Sequence, residues 1–149
     1  MRYLISFILL SLFCALLYGV HSLFIEEKKG EIAPELLPFV NEWKADMKSA
    51  GIDYDMGFND IKSIRLGKPL FNGLGRSDLM SGLIQISPEN FKLGEFSTKT
   101  TVYHELGHYV LKLEHNSCII MEKGNRKESF YRENWEGCLT EYISAAGKD

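Results

Sequence analysis

Three of the four histidines fall between positions 104 and 115; the fourth, His21, lies at the end of an apolar leader. His104 and His108 are four residues apart, so on a helix their rings leave one face, with Cβ atoms about 5–6 Å apart. Two imidazoles at that spacing can converge on one zinc ion, each about 2.0–2.1 Å from it. Glu105 follows His104 and is rotated about 100° around the helix axis. It flanks the metal position instead of joining the pair, and from there a carboxylate can hold and deprotonate a water. The chemistry this pattern points to is metal-assisted hydrolysis. A pair of surface histidines on an amphipathic helix shares the spacing but needs neither Glu105 nor a third histidine nearby.

Catalytic zinc sites take three protein ligands and leave a fourth position open. His115 is the expected third ligand. A continuous helix would carry it about 10 Å along the axis from His108. The helix must therefore end near Leu113 and the chain must turn back, helped by Asn116, a residue that tolerates the left-handed conformation. Glu114 is one alternative. Glu136 or Glu141, on a later helix, is another, and would make the site gluzincin-like.

The segment HELGHYVLKLEHNSCIIM, residues 104–121, resembles the active helix, third-histidine loop and Met-turn of the metzincin metallopeptidases. It is similar in particular to short bacterial metallopeptidase-like chains with a longer gap before the last histidine. The resemblance covers residues 84–121 closely and 128–143 loosely, and the Leu-Ile-Gln-Ile-Ser-Pro stretch ahead of the helix resembles the strand that precedes it in that group. It implies zinc ligands at His104, His108 and His115, a catalytic base at Glu105 and a Met-turn methionine at Met121. Two departures stand out. Leu111 occupies the position of the metzincin turn glycine, and the last histidine comes eleven residues after the first, not ten.

The elements that must position these residues read as α+β, a short sheet packed on the active-site helix. Pro34 suits the first turn of a helix carrying Leu36, Leu37, Val40, Trp43 and Met47, which Gly51 ends. Ile61–Leu66 and Leu83–Ser87 read as strands, the second stopped by Pro88. Between them, residues 67–81 are rich in glycine and turn residues and read as a loop or ragged hairpin. The active helix is expected from about Thr98 to Leu113, capped by Ser97 or Thr98, with Val102, Leu106, Tyr109, Val110 and Leu113 inward. A last helix is expected from about Arg132 to Ala146. Leu83–Ser87 is a candidate sheet edge for an extended peptide. Tyr103, Tyr109 and Tyr131 are candidate donors to a developing oxyanion.

Arg2 precedes an apolar run from Tyr3 to Val20, broken by Ser6 and Ser11. That is long for a signal-peptide core and just long enough to span a bilayer. Residues 1–22 are thus expected to be a signal peptide or membrane anchor, 23–31 a linker and 32–149 a zincin-like domain. Arg2 favours a cytoplasmic N-terminus, which puts the domain in an extracytoplasmic location. The chain carries 17 basic and 20 acidic residues without a basic stripe, so nucleic acid is excluded as a partner. Cys118 and Cys138 can pair in an oxidising compartment or lie apart as buried thiols.

The sequence therefore predicts a zinc-dependent peptidase acting on a peptide or protein substrate, touching the membrane through its N-terminal segment if that is uncleaved. The competing expectations are a non-catalytic zinc-binding module tethered to a membrane and an interaction protein without metal.

Overall fold

The computed structural model describes residues 30–69, 73–124 and 126–148. The expected leader, its apolar helix and most of the linker lie outside these residues. Among the described residues no helix is long and apolar enough to cross a membrane. The architecture is α+β: a four-stranded sheet and five helices.

In chain order these are β1 (Glu31–Ile32), α1 (Leu37–Ser49), α2 (Asp55–Asn59), β2 (Ser63–Leu66), β3 (Gly75–Asp78), β4 (Leu83–Ile86), α3 (Glu89–Leu93), α4 (Glu95–Tyr109) and α5 (Glu128–Ala146). A 3-10 turn covers Ile119–Met121. Glu31, expected in the linker, is already paired in β1 with Ser63. The first long helix starts after Pro34, and Pro38 takes the place in its first turn.

The strand order is β1-β2-β4-β3, with β1, β2 and β4 parallel and β3 antiparallel at the edge. This corrects the expectation for Leu83–Ser87. β4 is hydrogen-bonded on both sides, and among the described residues the two edge strands are β1 and β3, the latter inside the glycine-rich stretch and next to α4. Ile64, Ile84 and Ile86 are buried, as parallel strands covered by helices require.

The helix that carries the histidines, α4, packs on β3 and β4 and against α1 and α5. A buried polar relay fixes it there. Trp43 Nε1 donates to Tyr142 Oη (3.0 Å), Tyr142 Oη donates to the Tyr103 carbonyl (2.8 Å), and Tyr103 Oη donates to Asp46 (2.6 Å). Four buried groups on three helices are thereby satisfied at once, so α4 can neither slide nor rotate without exposing one of them. Lys99 adds a buried tie to Glu42 on α1 and lies over the Trp135 ring.

α4 begins about one turn before Thr98 and is capped from outside itself. Neither Ser97 nor Thr98 is the N-cap; Gly94 is. The free N–H groups of Phe96 and Ser97 donate to the Glu128 carboxylate, at 3.2 and 2.7 Å. A carboxylate at a helix N-terminus satisfies orphan donors and favours the dipole. Because Glu128 opens α5, this cap also locks the start of α5 to the start of α4.

Candidate metal centre

The sequence-predicted ligands come together. The coordinating atoms of His104, His108 and His115 all lie within 4.8 Å of one another. His108 Nε2 is 3.0 Å from His104 Nε2 and 3.2 Å from His115 Nε2. Two nitrogens each about 2.05 Å from a tetrahedral ion stand about 3.3 Å apart, so the spacing fits one shared cation.

The other ring nitrogens decide what the inward ones can do. His104 Nδ1 lies 2.8 Å from the Ile120 carbonyl, and His108 Nδ1 lies 2.7 Å from the Leu113 carbonyl. A carbonyl only accepts, so each Nδ1 carries the proton, and in the neutral ring Nε2 is left as a lone pair. Two lone pairs at 3.0 Å repel unless a cation or a proton sits between them. Carbonyls that orient a histidine through its outer nitrogen are the usual support of a metal ligand. Burial holds His104 down at about 4, so protonation is a poor remedy there. His115 is lowered too, by burial and then by His108 and Lys123. The donor set therefore fits a divalent cation of the kind that imidazoles prefer.

The loop that delivers His115 departs from the expected path. α4 ends at Tyr109 instead of continuing to Leu113. The chain reverses at Lys112 (φ 56°) and again at Asn116 (φ 65°). The metzincin pattern puts its turn glycine at the place of Leu111; here the left-handed residue comes one position later, in step with the histidine that is also one later. A non-glycine residue in that conformation costs about 1–2 kcal/mol. Lys112 recovers part of this by donating from Nζ to the Tyr109 carbonyl at 2.6 Å. We expect Lys112→Gly to raise the melting temperature by about 3 °C, measured by thermal denaturation, with metal affinity unchanged. A lower melting temperature would mean that the lysine contact outweighs the backbone strain.

Met121 is fully buried and packs against α4 at Gly107. Gly107, inside the HELGH segment, makes this approach possible. A Cβ there would come 2.7 Å from Met121 Sδ and 2.9 Å from Tyr142 Oη. Any side chain at Gly107 would push α4 off the turn whose Ile120 carbonyl orients His104.

Glu105 is buried against β3, and burial pushes its carboxyl up to about 7 despite hydrogen bonds from the Ser77 hydroxyl and backbone. Gly75 gives it room: a Cβ there would lie 2.6 Å from Glu105 Oε1 and 2.8 Å from Thr101 Cγ2. Gly75 and Ser77 were invisible as site residues because the turn-rich composition of 67–81 hides the strand. β3 itself, Gly75–Asp78, contains no apolar residue, so no hydrophobic alternation marks it as a strand.

A cleft of about 950 Å³ joins these groups, lined by Gly73–Ser77 on one side and by His104, Glu105, His108, His115, Glu122 and Lys123 on the other. Glu114 is exposed and is not grouped with the histidines. Glu136 and Glu141 line a separate groove with Trp135, and Glu141 accepts the Ile119 N–H at 3.3 Å. Neither joins the three histidines. The candidate tyrosines also face elsewhere: Tyr103 bonds Asp46, Tyr109 donates to the Asp60 carbonyl, and Tyr131 accepts from the Arg126 N–H. Cys118 and Cys138 are buried free thiols. No family model, curated protein or solved structure matches this chain.

Proposed function

We propose that the protein is a zinc-dependent peptidase with a zincin-like, metzincin-type site. The observation that carries this reading is the convergence of three Nε2 atoms, two of them with tautomers set by carbonyls, beside the buried carboxyl of Glu105. Zinc is the ion we assign, because it favours imidazole donors and three neutral imidazoles are a ligand set that would hold it. When bound it supplies a Lewis acid that acidifies a water and polarises a carbonyl.

The chain's own residues do the rest. His104, His108 and His115 hold the ion. Glu105, with a carboxyl near neutrality, accepts the proton of the attacking water and returns it to the leaving amine. Ser77 keeps that carboxyl turned toward the cleft. The unpaired edge of β3 accepts an extended peptide through main-chain hydrogen bonds and lays it across the histidines. A backbone N–H from that edge is the nearest source of an oxyanion donor, since the tyrosines face elsewhere.

The test is metal content and proteolysis of the purified chain. One zinc per chain is expected, with hydrolysis of an unfolded protein such as casein abolished by a chelator and restored by zinc. His115→Ala should weaken zinc binding by about 100-fold or more, while Glu141→Gln leaves it unchanged. The opposite result for that pair would overturn the ligand set. A chain that takes up zinc stoichiometrically yet cleaves no peptide would leave a zinc-binding module.

A further inference from the structure

The strand register decides which features share one end of the sheet. β1, β2 and β4 start level with the end of β3. Gly30 N–H donates to the Lys62 carbonyl and Lys62 N–H to the Gly82 carbonyl, both at 2.8 Å. The turn joining β3 to β4 therefore sits at the same end of the sheet as Gly30, the first described residue.

That turn is firmly built and tipped with apolar side chains. The Asp78 carboxylate accepts the N–H groups of Met80 (3.1 Å) and Ser81 (3.4 Å), and Gly82 N–H donates to the Asp78 carbonyl (3.0 Å). Turns favour glycine, asparagine, aspartate and serine. Here two turn positions are Leu79 and Met80, 58% and 97% exposed. Met56, 83% exposed, stands on α2, and Asp60 just past that helix brings its carbonyl within 3.1 Å of a Cβ built on Gly82. Leu79 and Met80 are adjacent, and a hydrogen-bonded turn holds them out together, so they offer one small apolar tip that a surface can bury.

The sequence supplies the candidate surface. The apolar run Tyr3–Val20 is long enough to span a bilayer, and nine residues separate it from Gly30. Nine residues reach about 30 Å at most, so the end of the sheet that holds Gly30 cannot lie farther than that from an anchored run. We propose that this end rests on the bilayer, with Leu79 and Met80 inserted at the boundary between headgroups and acyl chains. Glu31, Asp60 and Asp78 outnumber Lys62 at this end, so a neutral phosphatidylcholine surface fits better than an anionic one. The inference rests on the run being an uncleaved anchor and is independent of the peptidase reading.

The test uses the full chain reconstituted in phosphatidylcholine vesicles carrying brominated acyl chains, which quench tryptophan at close range. Met80→Trp is compared with Leu93→Trp, an exposed position on α3 beyond the opposite end of the sheet. Subtracting the parent removes Trp43 and Trp135. The added emission of Met80→Trp should be quenched at least twofold more than that of Leu93→Trp. Equal quenching in protein that floats with the vesicles after an alkaline wash would overturn the docking and leave the anchor standing. Protein that fails to float would overturn both.

Discussion

If the proposed assignment holds, Glu105→Gln should bind one zinc per chain, melt no earlier than the parent and lose about 10²–10⁴-fold in kcat/KM for peptide hydrolysis. The range is what a positioned general base contributes. Glu105 is not one of the three clustered imidazoles proposed to hold the ion, so uptake should be untouched. The amide keeps the shape of the carboxylate and can still accept from Ser77, but it cannot take a proton. Stability separates this outcome from a simple packing defect. A carboxyl raised from its usual 4.5 to about 7 binds a proton more readily in the folded chain than in the unfolded one. Its contribution is fully present below about pH 4.5 and is lost as pH rises through 7. Above pH 7 the buried ionised carboxylate is therefore a burden on the metal-free protein, and the amide removes it. Thermal denaturation of chelated protein at pH 8 should show Glu105→Gln melting above the parent. Retained hydrolysis at the parent rate would end the assignment of Glu105 as base, whatever zinc does.

Much of this site is legible in the sequence because its signal is local. A four-residue histidine spacing on an amphipathic helix fixes a shared face by helix geometry alone. His115 was harder but still readable, since one short loop delivers it. What escaped the sequence is whatever comes from a distant element. Ser77 and Gly75 reach Glu105 from a strand masked by glycines and turn residues. Glu128 caps α4 from the start of α5, so Ser97 and Thr98, the local candidates, were preferred wrongly. Gly107 reads as a mild helix breaker until Met121 and Tyr142 are placed beside it. Leu83–Ser87 reads from sequence either as a sheet edge or as a plain core strand, and pairing on both sides makes it the core strand. The sheet order follows from hydrogen-bond pairing between segments far apart, which no window of sequence contains.

Removing the metal should lower the melting temperature by about 10 °C at pH 7.5, relative to protein with zinc at roughly one hundred times its dissociation constant. Binding at that ratio stabilises a fold by about 2.7 kcal/mol, and a domain of this size shifts by a few degrees per kcal/mol. The two perturbed groups give the prediction its pH signature. His104, lowered from 6.5 to about 4, contributes stability that is present above about pH 6.5 and is lost as pH falls through 4. Glu105 runs the other way, its contribution lost as pH rises from 4.5 through 7. In metal-free protein the slopes oppose each other across that shared window, so acidification there should move these groups' combined stability little. A bound cation answers both at once, by occupying the lone pairs of the imidazoles and by balancing the carboxylate. The zinc-dependent increment should then be largest near neutrality and shrink as protons compete for the imidazoles, vanishing toward pH 4. Melting curves with and without chelator from pH 5 to 8 measure this directly. Identical curves at pH 7.5, with no zinc taken up, would leave two histidine lone pairs facing each other for no physical reason and would remove the ground for a metal here.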